Sequence, residues 1–244
     1  MLKNTIQSFD ERRDLFIGET EKETLDFAVE HWLHTAQRSI QQRGRFAVAL
    51  SGGSTPKAIY AELGEKAKDL DWSKVWLFWS DERAVPPDHP DSNYKMAMER
   101  LGKLPIPPAQ IFRMRAEENL EQMAKSYEEE IRRNLDKHLF DLVMLGLGED
   151  GHTASLFPNT PALSIEDRLV VPNHAKTWRM TLTFPCINQS SRIALYALGA
   201  AKQNIVPQVL GAAILSPWPA SRIGTPERKA LWILDRAAAS KFQT

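Results

Sequence analysis

The sequence predicts an α/β fold: a mainly parallel, Rossmann-like sheet with helices on both faces and some additional shorter strands. Short apolar runs such as Val75-Trp76-Leu77-Phe78-Trp79 recur along the chain, as expected for strands covered on both faces. Between them lie longer stretches whose apolar residues repeat at helical spacing. That alternation is the mark of parallel strands joined by helices. The 244 residues suffice for one large domain or two small ones. No repeat, low-complexity tract or linker divides them, so one domain over residues 1–244 is expected.

The elements follow in order. Thr20-Glu21-Lys22-Glu23 forms a capping box, and Leu25, Val29, Trp32, Leu33, Ala36 and Ile40 continue on one helical face until Gly44 stops it. Phe46 to Leu50 is a buried strand. Ser51-Gly52-Gly53-Ser54-Thr55-Pro56 is a sharp turn into a second helix, with Thr55 as N-cap and Pro56 at the first helical position. Val75 to Trp79 is the next strand. Ser92 or Asp91 caps a helix through about Leu101, and Pro105, Pro107 and Pro108 break the chain after it. Ile111 to Met114 is expected as a short strand. Leu120, Met123, Tyr127, Ile131 and Leu135 share a helical face, with Glu128, Glu129 and Glu130 on its solvated side. Leu142 to Leu147 reads as a central strand, Leu169 to Val171 and Met180 to Phe184 as two more, and Arg192 to Leu198 as another. A helix near Ala201 to Leu210, a loop from Pro217 to Pro226 and a strand from Ala230 to Leu234 close the set.

Composition excludes several function classes. Lys+Arg 31 balances Asp+Glu 31, so there is no broad basic field to hold nucleic acid or an anionic membrane. The single cysteine, Cys186, forms neither an intrachain disulfide nor a CxxC zinc pattern, and its apolar flanks mark it as a buried spectator. Met1-Leu2-Lys3-Asn4-Thr5 has no apolar core of a secretory signal, and no run approaches the roughly 20 residues of a membrane span. A cytoplasmic protein is expected.

In such sheets ligands sit beyond the carboxyl ends of the strands, where four candidate segments fall. In Leu50 to Pro56, Gly52 and Gly53 let a ligand approach the backbone, free N–H groups at a helix start favour an anion, and Ser54 and Thr55 add hydroxyls. The segment is neither a Walker loop nor a dinucleotide GxGxxG turn; an ordinary capped turn reads the same way. Asp81-Glu82-Arg83, directly after a strand, is either a surface ion cluster or part of a site. Gly146 to Pro158 carries Asp150 and His152 on a glycine-rich turn, and an imidazole is suited to moving protons near neutral pH. Glu149 reads as solvated. Arg179 and Lys202 form a later cationic set; a cation near an expected helix start opposes the helix dipole, which suits Lys202 facing an anion, while a plain solvated lysine reads the same way. Asp150 and His152 with Asp81 or Glu82 could in principle ligate a metal, but there is no HExxH, and His31, His34, His89, His138 and His174 are scattered. No metal is expected, and without a Gly-x-Ser-x-Gly elbow no serine hydrolase either.

Taken together these segments resemble the lactonase branch of the glucosamine-6-phosphate isomerase/6-phosphogluconolactonase family. The resemblance rests on Ser51 to Pro56, on Ser80-Asp81-Glu82-Arg83 with Val85-Pro86 and Asp91-Ser92-Asn93-Tyr94, and on Asp150-Gly151-His152-Thr153-Ala154-Ser155-Leu156-Phe157-Pro158. Arg179 to Thr183, Gly199 to Lys202 and Pro219-Ala220-Ser221 extend it, so it runs from about Phe46 onward. Asn159 departs from the family, where a glycine is usual. The deaminase branch is less similar: its second signature reads Asp-Glu-Tyr, and its histidine loop carries a relay glutamate that this chain lacks. The resemblance implies hydrolysis of 6-phospho-D-glucono-1,5-lactone to 6-phosphogluconate in the oxidative pentose phosphate pathway, with no cofactor. It implies His152 as base, Asp150 orienting it or binding a sugar hydroxyl, and Arg83 serving the oxyanion or the phosphate. Gly52, Gly53, Ser54, Thr55 and Lys202 would cradle the phosphate, with Arg179. The partner would be a small phosphorylated sugar lactone. The other expectations are a sugar-phosphate isomerase or deaminase, and a non-catalytic sugar-phosphate sensor. A sensor would bring a DNA-binding helix-turn-helix or a second domain, and neither is evident.

Overall fold

A computed structural model describes residues 5–137, 139–214 and 216–242. His138 and Met1 to Asn4 lie outside the described residues. The chain opens with two strands that its charged residues conceal, β1 (Gln7–Ser8) and β2 (Arg13–Gly18). Arg13 is buried at the start of β2 because its guanidinium is satisfied: it donates to the Val209 and Leu210 carbonyls at 3.1 and 2.9 Å and to Asp10 at 2.6 and 2.8 Å. Helix α1 (Glu21–Arg43) follows. The Thr20 side chain accepts from Glu23 N, and Gly44 ends the helix in the left-handed region at φ 75°. Trp32 from α1 packs on Phe46 and Trp72, with ring centroids 5.0 and 5.8 Å away. Burying each such ring contributes about 1.5–3 kcal/mol.

Strand β3 (Phe46–Leu50), helix α2 (Ser54–Lys66) and strand β4 (Val75–Trp79) come next, then the short strand β5 (Asp81–Arg83), α3 (Asn93–Leu101) and α4 (Leu120–Asn134). Ser92 caps α3 and Asn119 caps α4. The N-cap of α2 is Gly53, two residues earlier than Thr55, so Thr55 and Pro56 lie inside the first turn. Ile111 to Met114 forms no strand; Ile111 makes a single bridge to Leu77. The chain continues through β6 (Leu142–Gly146), β7 (Val170–His174), β8 (Trp178–Leu182), α5 (Phe184–Asn188), β9 (Ile193–Ala197), α6 (Ile205–Leu210) and β10 (Ala230–Asp235). Strand β8 stops at Leu182 because Thr183 caps α5 by accepting from Cys186 N, so Phe184 is helical rather than extended. The segment after β9 is a 3₁₀ turn over Ala200–Lys202 and then α6; Lys202 therefore lies at the end of that turn rather than at an α-helix start. Cys186 is buried, which pushes its thiol far above the usual range.

Seven strands form one sheet in the order β1-β2-β10-β9-β6-β3-β4, parallel throughout except for the β1–β2 pair. Strand β6 is interior, and β9 takes the middle place. Every residue of β3, β9 and β10 is buried, so both faces of the sheet are covered. A second sheet, β5-β8-β7, is antiparallel. The chain leaves β3 toward β4 on one side and leaves β6 toward β9 on the other. The strand order thus reverses between β3 and β6, and such a switch point opens a crevice beyond the carboxyl ends. Among the described residues no helix is long and apolar enough to cross a membrane.

Candidate active site

A cleft of ≈ 230 Å³ occupies that crevice. The turn after β3 supplies Ser51 to Pro56, the loop after β6 supplies Gly148, His152 and Ala154, and Lys202 follows β9. Asp81 and Arg83 from β5, Arg179 from β8 and Asn93 from α3 close the other side. Of the residues to which the resemblance gives a role, Asp150 alone does not line it, and Glu82 and Glu149 lie outside it too. Glu149 is exposed.

The first turn works through its backbone. Gly53 adopts φ 106°, a conformation that L side chains rarely take, and no side chain caps α2. The N–H groups of the first turn stay available for an anion beside the hydroxyls of Ser54 and Thr55.

The loop after β6 works through side chains. His152 Nδ1 lies 2.5 Å from Asp150 Oδ1, and His152 N donates to the same oxygen at 3.2 Å. A carboxylate at Nδ1 favours the tautomer with its proton there, and Nε2 is then the nitrogen that can take one up, as a base must. Burial alone would raise the Asp150 carboxyl, but the hydrogen bond and charge of His152 hold it below its ordinary range. Gly148 is required by close approach: a Cβ there would collide with His152 Nδ1 and come within 2.7 Å of Asp150 Oδ1. Asn159, where a glycine was expected, sits at φ 61°, which asparagine tolerates better than most residues.

Asp81, which the sequence offers only within a charged triplet and as a possible metal ligand, is the hub of the far wall. It is buried and its carboxylate accepts from Ser155 Oγ at 2.5 Å and Asn93 Nδ2 at 3.3 Å, with Arg179 Nη1 3.9 Å away. Glu82 beside it is a clamp: it accepts from the N–H groups of Arg83, Asn93 and Tyr94, each at 2.8 Å, and from Ser92 Oγ at 3.0 Å. Burial pushes its carboxyl up despite those bonds. The charged triplet is thus no surface cluster. Its position right after a strand was the only available signal, because burial of two adjacent acids depends on partners from α3 and the histidine loop.

Arg83 and Arg179 stand directly opposite each other in the β5–β8 ladder. Like charges so placed repel unless an anion is shared. The Arg83 guanidinium donates through Nη1 to the Asp91 carbonyl at 2.5 Å. The Nε of each arginine is buried without a partner among the described residues. Burial lowers Arg179 below its usual range, against the opposing pull of Asp81. Tyr196 also lines the cleft, with a buried hydroxyl that finds no partner among the described residues. No three His, Cys, Asp or Glu side chains among the described residues come together as a metal-holding group.

Residues 19–232 match the family model described as glucosamine-6-phosphate isomerases/6-phosphogluconolactonase. The 6-phosphogluconolactonase of Chlamydia muridarum is 42% identical over 234 residues, 94% of this chain and 91% of that protein. The 6-phosphogluconolactonase of Synechocystis is 40% identical over 214 residues, 84% and 88% of the two chains. The structure of 6-phosphogluconolactonase from Trypanosoma brucei superposes with a TM-score of 0.84 at 29% identity, covering 97% of this chain and 100% of that one.

Proposed function

The chain belongs to the glucosamine-6-phosphate isomerase/6-phosphogluconolactonase family and has 6-phosphogluconolactonase activity, and from that premise we propose a mechanism in which His152 is the general base and no metal or other cofactor takes part. The substrate is 6-phospho-D-glucono-1,5-lactone, taken up in the cytoplasm by a single domain. His152 Nε2 removes a proton from water, and the resulting hydroxide oxygen bonds to the lactone carbonyl carbon. The carbonyl oxygen takes the negative charge. The bond from that carbon to the ring oxygen then breaks, and the imidazolium returns its proton to the ring oxygen, which becomes the free hydroxyl of 6-phosphogluconate.

The observation that carries this assignment is the Asp150 Oδ1 contact to His152 Nδ1 at 2.5 Å, which leaves Nε2 as the nitrogen able to serve the cleft. Lys202 and the α2 N-terminus, flanking the histidine loop, are assigned to the phosphate. Arg83 is assigned to the oxyanion. Arg179 joins it there rather than at the phosphate, because it stands opposite Arg83 and rests on the same ring, Phe157, that packs against His152. A cyclic ester is already activated, so a positioned base and charge stabilisation are enough.

The test is acid release from freshly prepared 6-phosphogluconolactone, corrected for spontaneous opening, before and after chelation and desalting. Turnover should be unchanged by chelation, and glucosamine 6-phosphate should not be deaminated. Loss of activity restored by zinc or manganese would replace proton transfer at His152 with metal coordination.

A further inference from the structure

Phe157 has no part in the chemistry just described, yet it touches two of the groups that do. Its ring centroid lies 4.2 Å from that of His152 with 29° between the planes, a face-to-face contact. Arg179 Cζ lies 5.3 Å from the same centroid, within cation–π range.

We propose that Phe157 is a positioning residue: its ring face sets the plane of the His152 imidazole, favours the imidazolium formed during turnover, and ties that imidazole to Arg179. Given that His152 is the base, Asp150 alone underdetermines its geometry. One hydrogen bond fixes Nδ1 but lets the ring rotate about the bond, and the Asp150 side chain is 52% exposed, which makes a soft tether. A flat contact on the ring face removes that rotation. Phe157 itself is firmly planted. Its carbonyl accepts from Thr160 Oγ1 at 2.8 Å, the preceding Leu156 is fully buried, and Ser155 N donates to Thr181 Oγ1 at 3.1 Å on β8. Arg179 needs the ring as well, since among the described residues its nearest carboxylate, on Asp81, is 3.9 Å away and its Nε has no partner.

The electron-rich face of a phenyl ring attracts a cation and does little for a neutral imidazole. The contact therefore strengthens as His152 takes its proton, and an interaction made mainly in the transition state acts on kcat. Phe157→Leu, and Phe157→Met, which fills the space without an aromatic face, should lower kcat roughly tenfold or more while KM changes little. Phe157→Tyr should restore most of the loss. In the unmodified enzyme, the His152 ring protons, assigned by their disappearance in His152→Ala, should show Overhauser contacts to an aromatic ring. They should lose their ring-current shift in Phe157→Met. Absence of those contacts in the unmodified enzyme would overturn the proposal, as would unchanged kcat in a folded Phe157→Met. So would a loss confined to KM, or an equal loss in Phe157→Tyr. If instead His152→Ala kept full turnover while the spectral contacts persisted, the error would lie in calling His152 the base, not in the contact of the two rings.

Discussion

The turn after β3 and the loop after β6 leave neighbouring parallel strands and flank the same crevice, yet they present opposite kinds of chemistry. The first offers main-chain N–H groups at the start of a 13-residue helix, freed by a glycine N-cap that brings no side chain of its own. The second offers a side chain, an imidazole held by a carboxylate, with the backbone turned back so tightly that Gly148 N donates to His152 O at 2.9 Å. The fold dictates where the two loops meet; what fills each helix or turn dictates whether the place binds or reacts. Damage to the first should weaken binding, and damage to the second should slow the chemistry.

The largest effect short of removing the base should come from Gly148→Ala. The added methyl displaces His152 and Asp150 together, so kcat should fall about 10²–10⁴-fold, as when a general base is lost, with the melting temperature little changed. On the binding side, Lys202→Ala should raise KM roughly 10–150-fold, the equivalent of one charge-assisted hydrogen bond, with a much smaller change in kcat. Glucono-1,5-lactone without phosphate is the control. Both proteins should hydrolyse it with similar, poor efficiency, and equal losses on the two substrates would place Lys202 at the lactone end. Asp150→Asn keeps the imidazole but loosens it, and kcat should fall by at least about 10–100-fold, the cost of losing a carboxylate that orients a metal-bound histidine.

The smallest effect is on stability. Asp150 is held below its ordinary value of 3.8 because the bond and charge of His152 outweigh the upward push of burial. A carboxylate lowered in the folded state contributes stability above that ordinary value and loses it as pH falls through the lowered one. The melting temperature of the unmodified protein should exceed that of Asp150→Asn near neutral pH, and the gap should close below about pH 3.8. Exposure of Asp150 keeps the gap small.

Strands and loops were not equally legible in the sequence. Phe46 to Leu50, Val75 to Trp79 and Leu142 to Gly146 declare themselves because a strand buried on both faces has room for little but apolar residues. Strand β2 does not, since Arg13 and Asp14 open it and Arg13 is buried with the help of carbonyls about 200 residues away in sequence, at Val209 and Leu210, beside the nearby Asp10. Strand β5 is three charged residues whose burial depends on Asn93, Ser155 and Thr181, so its pairing with β8 leaves no periodic trace. In the site, the residue types of Gly52 to Thr55 and of Asp150 to His152 identify them locally. The hub at Asp81 acts through contacts distant in sequence, and Phe157 acts through the faces of its ring, which a string of residues does not show.

The central claim is that His152 moves the proton. Its most direct test is the initial rate of acid release from 6-phosphogluconolactone by purified His152→Ala, with spontaneous opening subtracted and folding checked by melting temperature. We expect kcat to fall by about 10²–10⁴-fold with the fold intact and with KM little altered, because the phosphate contacts remain. Turnover at the unmodified rate by a folded His152→Ala protein would contradict it.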